Sequence, residues 1–109
     1  MVPKELISTV ATRFKALGDP GRLAILAALQ DGEKSVSELV EATGRSQPNV
    51  SQNLAALARV GFVAARREGN RVFYRVSDPY LARICDAVCD GVVEHVRREG
   101  VVFKRRRRK

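Results

Sequence analysis

Histidine occurs once in the 109 residues, and cysteine only twice, at Cys85 and Cys89. With one imidazole, no glycine-rich phosphate loop and no acid–base pair clustered beside a nucleophile, the sequence argues against an enzyme. The two cysteines are too few and too close together to form the disulfide framework of a secreted mini-protein, and a reducing cytosol would keep them as thiols. No apolar run approaches the roughly 18 residues of a membrane span, and Met1-Val2-Pro3-Lys4-Glu5 lacks a signal-peptide stretch. A cytoplasmic chain with no membrane partner is expected. The length suits one modest core, and its 45% hydrophobic content is ordinary for a globular domain.

What is abundant is positive charge, formally +8, and it is unevenly placed. Residues 1–44 hold five basic and six acidic side chains, and residues 76–103 hold three and five. Residues 45–75 hold six basic and one acidic, and residues 104–109 are basic throughout. One internal block and one tail therefore carry the charge that a polyanion would meet. A solvated basic face is the plain alternative. The expected organisation is one domain over 1–98 with a basic, disordered tail over 99–109.

Leu6, Ile7, Val10, Phe14 and Leu17 recur at helical spacing, predicting a first amphipathic helix over 4–17 closed by Gly18. Asp19-Pro20 is an N-cap followed by proline at the first helical position, and Leu23, Ile25, Leu26 and Leu29 carry a second helix to Asp31-Gly32. Ser35-Val36-Ser37-Glu38 has capping-box spacing for a short third helix ending at Gly44. Ser46 caps a fourth, with Val50, Leu54 and Leu57 inward and Gly61 as its stop. Short helix, tight junction and longer helix make a helix-turn-helix spacing. Residues 62–67 and 71–76 then read as a two-stranded β-hairpin around Gly69. Asp78-Pro79 repeats the capping signal for a final helix running to about His95–Arg98. The predicted class is mainly α, with about five helices and a β wing.

With Val50 inward, Asn49, Ser51 and Gln52 fall on the sides or outer face of the fourth helix, and Gln47 lies in its exposed first turn. Asn and Gln can pair with adenine, Ser can bond phosphate or base, and a helix N-terminus offers N–H groups to phosphate. Ser46, Gln47, Asn49, Ser51 and Gln52 are the candidate DNA contacts. An ordinary capped surface helix would share this chemistry. Among Arg66, Arg67, Arg71 and Arg75, strand alternation prevents all four from facing one ligand; Arg67 and Arg71, nearest the tip, are favoured. The basic tail would add nonspecific affinity.

Phe14-Lys15-Ala16-Leu17-Gly18-Asp19-Pro20-Gly21-Arg22-Leu23-Ala24-Ile25-Leu26, then Ser46-Gln47-Pro48-Asn49-Val50-Ser51-Gln52-Asn53-Leu54, then Arg66-Arg67-Glu68-Gly69-Asn70-Arg71-Val72-Phe73-Tyr74-Arg75 stand in an order and spacing that resembles the ArsR/SmtB family of winged-helix transcriptional repressors. The resemblance covers about residues 6–96. It implies a homodimer paired through the first and last helices, operator binding by the fourth helix and wing, and release of DNA by a metal or another inducer. Both terminal helices do carry apolar stripes that so small a domain would struggle to cover alone. Two symmetry-related reading helices would favour an inverted-repeat duplex. The family often has histidine where Asn53 stands, so sequence preference does not transfer.

The resemblance also brings two metal sites, and neither is intact. Where many members carry Cys-Val-Cys on the third helix, this chain has Ser35-Val36-Ser37, and hydroxyls bind soft ions poorly. The zinc site on the last helix begins with Asp-x-His in the family, whereas Asp78-Pro79-Tyr80 keeps only the carboxylate. His95, far down that helix, reads equally as a capping or solvated side chain. Cys85 and Cys89 remain, four residues apart and hence neighbours on one helix face. They suit a thiophilic ion such as arsenite, antimonite or cadmium, shared with a partner subunit, or a redox or persulfide switch. Cysteine filling an apolar stripe is the alternative. The flanking Asp86 and Asp90 argue against strongly activated thiolates. No cofactor is required, and a constitutive or architectural DNA-binding protein, or a basic RNA-binding one, would share all but the sensing features or the duplex preference.

Overall fold

The computed structural model describes residues 1–100, so the basic run 104–109 and the disorder expected of it lie outside the described residues. The chain divides into two units, Met1–Asp78 and the segment from Pro79 onward. In the first unit, a 3-10 turn over Lys4–Leu6 leads into α1 (Ile7–Leu17). Asp19 accepts the Arg22 N–H at 3.1 Å, and Pro20 opens α2 (Pro20–Ala28), which tightens into a 3-10 turn at Leu29–Asp31. The Arg22 side chain reaches back to the end of α1, where its Nε donates to the Ala16 carbonyl at 2.5 Å and its Nη2 to that of Lys15 at 3.3 Å.

The chain then forms a short strand, β1 (Lys34–Ser35), before α3 (Val36–Thr43). The capping box is complete: Ser35 Oγ accepts the Glu38 N–H at 3.3 Å, and Glu38 Oε1 accepts the Ser35 N–H at 2.8 Å. These bonds occupy both the N–H and the hydroxyl of Ser35, whose Oγ also lies 3.2 Å from Ser37 Oγ. α4 (Gln47–Arg59) follows, then β2 (Val63–Glu68) and β3 (Arg71–Val76).

The hairpin is wider than expected. It belongs to a three-stranded antiparallel sheet ordered β1-β3-β2, with Lys34 opposite Tyr74 and Ser35 opposite Phe73. A strand of two residues shows no alternation from which to be recognised. The turn at Gly69-Asn70 has a positive φ only at Gly69, +62°, which suits glycine at the first central position of a two-residue hairpin turn.

α2, α3 and α4 pack on one another, and the inward stripe is as predicted: Val50, Leu54 and Leu57 are buried, with Ile25, Leu26, Leu29, Leu39 and Phe62. Leu6 of the leading 3-10 turn and Ile7 and Phe14 on α1 are instead about half exposed, at 50%, 54% and 55%.

In the second unit, α5 spans Leu81–Arg98. It begins later than the Asp78-Pro79 signal implies. Tyr80 occupies the N-cap position without a side-chain cap bond, while Asp78 ion-pairs at 3.0 Å with Arg13 of α1, a partner 65 residues away. Val88 and Val92 are exposed on α5, and His95 Nε2 lies 2.8 Å from Glu99 Oε1 on the solvated side of the helix. Among the described residues, no helix is long and apolar enough to cross a membrane.

Candidate nucleic-acid interface

The turn between α3 and α4 is closed by local bonds. Gly44 adopts the left-handed conformation, φ +70°, and its N–H donates to the Val40 carbonyl at 3.0 Å. The Arg45 N–H donates to Thr43 Oγ1 at 3.3 Å, and Ser46 Oγ accepts the Asn49 N–H at 3.2 Å. α4 thus starts at a defined place beside α3, which is what a reading helix needs.

Of the predicted contacts, Ser46, Gln47 and Gln52 are exposed, and Asn49 and Ser51 are half-buried. The Gln47 amide donates to Ser51 Oγ at 2.9 Å, so two of these side chains form a pre-ordered pair on the first turns of α4. Asn49 turns sideways rather than outward. Its Oδ1 accepts from Asn53 Nδ2 at 3.1 Å and from Arg45 Nη1 at 3.4 Å. Asn53 itself is buried, 7% exposed. It sits four residues after Asn49 and three after the inward Val50, a spacing that could have placed it on the inner flank.

The wing separates its arginines by face. Opposed residues in an antiparallel ladder share a face, so Arg66, Glu68, Arg71, Phe73 and Arg75 point one way, and Arg67 points the other with Val72 and Tyr74. On the first face, Arg66 pairs with Glu33, with one bond of 3.2 Å and a second shorter contact, and with Glu68 at 3.0 Å. Arg71 Nη2 donates to Ser35 Oγ at 3.3 Å and lies 3.7 Å from Glu38 Oε1. Both guanidiniums stand over the Phe73 ring, 5.1 and 4.8 Å from its centre. The hydrogen bond from Arg66 holds the Glu33 carboxyl below its usual range, and the Ser35 backbone N–H does the same for Glu38. Arg67 is exposed, and among the described residues it forms no ion pair. The two arginines favoured at the tip therefore lie on opposite faces.

On α5, Cys85 is half-buried and Cys89 exposed, one helical turn apart. Among the described residues, no three His, Cys, Asp or Glu side chains converge as a metal-holding group.

Residues 19–65 match the model of the family described as "Bacterial regulatory protein, arsR family". A probable mercury resistance operon repressor of Streptomyces lividans is 44% identical over 81 residues, which cover 74% of this chain and 65% of that protein. The HTH-type transcriptional regulator KmtR of Mycobacterium tuberculosis is 35% identical over 106 residues, 91% of this chain and 82% of KmtR. Among solved structures, the homodimeric winged helix-turn-helix DNA-binding domain of Mb0332 from Mycobacterium bovis superposes with a TM-score of 0.73 at 38% identity, covering 93% of this chain and 92% of that one. The α3–α4 pair followed by a basic wing is the winged helix-turn-helix of these proteins, and this chain belongs to the ArsR family of bacterial regulatory proteins.

Proposed function

We propose that the chain is a cytoplasmic, homodimeric transcriptional repressor that binds an inverted-repeat duplex. The reading is carried by α4, whose capped N-terminal half presents Ser46, Gln47, Ser51 and Gln52 beside a wing with an uncompensated Arg67. Gln52, exposed on the outer side, is the base reader best placed for adenine; the Gln47–Ser51 pair and Arg67 contact the backbone, while Arg71, turned to the other face and engaged by Ser35 and Glu38, is left out of the contact set. The half-exposed Leu6 before α1, Ile7 and Phe14 on α1, and Val88 and Val92 on α5, are the apolar surfaces that dimerisation would cover. Selection from a randomised duplex pool should enrich an inverted repeat, and Gln52→Ala should relax preference at one position in each half-site. Equal binding of structured RNA and the selected duplex would refute the reading.

The proposed trigger is a thiophilic metal or metalloid at Cys85 and Cys89, with two thiolates from each subunit. The spacing on one face of α5 supports it, as does the mercury resistance named for one relative. Release of the selected duplex is measured against arsenite, antimonite and cadmium. The Cys85→Ser/Cys89→Ser variant should stay bound where the wild type dissociates; equal response of both proteins would end the proposal.

A further inference from the structure

Arg45 lies just before the N-cap of α4, in the most basic internal stretch of the sequence, and among the described residues it enters no ion pair. It is nevertheless held in place. Its Nη1 donates to Asn49 Oδ1 at 3.4 Å, and the same oxygen accepts from the buried Asn53 at 3.1 Å. Arg45 Nη1 and Asn53 Nδ2 both lie against Gly21 of α2, where an added Cβ would stand 2.9 and 2.6 Å from them. Asp19 Oδ2 also borders Gly21, but it accepts the Arg22 N–H. The guanidinium of this half-buried residue is therefore positioned at the flank of α4 by one long hydrogen bond and its contact with Gly21, with most of its five N–H donors unused.

This arrangement reassigns Asn49. Bidentate pairing with adenine needs both the oxygen and the amino group of an amide, and the Asn49 oxygen already takes two bonds inside the protein. A cation at the flank of a helix lying in the major groove faces the wall of the groove, where the phosphates are. A planar guanidinium restrained in advance suits a phosphate oxygen pair and loses little freedom on binding.

We propose that Arg45 is a phosphate-binding residue of the DNA interface, with Asn49 and Asn53 as positioning residues that hold its guanidinium. The inference rests on the reading of the chain as a DNA-binding protein. The test uses the full chain and a duplex that the wild type selects from a randomised pool, with affinity measured by anisotropy across a range of salt. Arg45→Gln, which keeps a donor for Asn49, should weaken binding about tenfold or more. It should also make the plot of log affinity against log salt shallower by about 0.9 for each arginine removed from the complex. Arg45→Lys should keep most of the slope. Asn49→Ala and Asn53→Ala, which remove no charge, should also make it shallower; a purely structural role would lower the melting temperature and leave the slope alone. A wild-type slope in Arg45→Gln overturns the phosphate contact, and wild-type slopes in both asparagine variants overturn the positioning role. If the wild type selects no duplex, the DNA-binding reading falls, and this inference with it.

Discussion

Gly21 and Asn53 meet so closely that one further carbon does not fit: a Cβ on Gly21 would come within 2.6 Å of Asn53 Nδ2. The asparagine is buried and bonded to Asn49, so it cannot simply swing aside. Gly21→Ala should therefore cost about 1–3 kcal/mol, as overpacking does. Denaturant melts of Gly21→Ala, Asn53→Ala and the double variant check this. The double variant should be more stable than the two single losses together imply, because removing the amide makes room for the methyl.

Arg22 ties two helices together by donating to the Ala16 and Lys15 carbonyls at the end of α1. Removing the charged donor from the part-buried bond to the Ala16 carbonyl should destabilise the fold by about 1.5–3 kcal/mol in Arg22→Ala. Arg22→Lys should recover only part of that, since an ammonium does not reproduce the fork. Thermal melts of the two variants test the difference.

On the wing, adjacent arginines should behave oppositely. Arg67→Ala should make the salt dependence of duplex binding shallower by about 0.9 for each phosphate that the arginine neutralises. Arg66→Ala should leave that slope nearly unchanged, because Glu33 and Glu68 already engage its guanidinium. Instead it should loosen the hairpin, measurable as faster amide exchange along β2 and β3.

Acid should weaken the same region. Glu33 and Glu38 titrate below the usual 4.5 in the folded chain, through the hydrogen bond from Arg66 in one case and from the Ser35 N–H in the other. A carboxylate depressed by folding stabilises fully above its unfolded value, and that contribution fades as pH falls through the folded one. The Glu33→Gln/Glu38→Gln variant should show a shallower loss of stability below about pH 4.5 than the wild type, while glutamine preserves the capping-box geometry at Glu38.

Elements specified by neighbours in the chain are legible in the sequence. The Ser35–Glu38 capping box, the Ser46 cap and the Val50, Leu54, Leu57 stripe all depend on contacts within one turn or on period alone, and all are present. Asp19-Pro20 and Asp78-Pro79 present the same local signal, yet α2 opens at Pro20 itself whereas α5 opens two residues after Pro79, at Leu81, with Asp78 paired to Arg13. β1 has no sequence signature, because two residues have no period. Helical geometry alone places Asn49 on the side or outer face, and what holds it to the side is its bonding to Asn53 and Arg45, which meet over Gly21 of another helix. Arg45, taken by itself, is one more positive charge in a basic stretch.

The division of the wing by face gives the hairpin a sense of direction. Three arginines and three glutamates meet around one side of the sheet, so a polyanion approaching there encounters near neutrality and some carboxylate repulsion. Turned over, the same hairpin offers an unopposed guanidinium at Arg67. Charge placed on one face of a wing in this way would orient an approaching polyanion toward the Arg67 side before close contacts form.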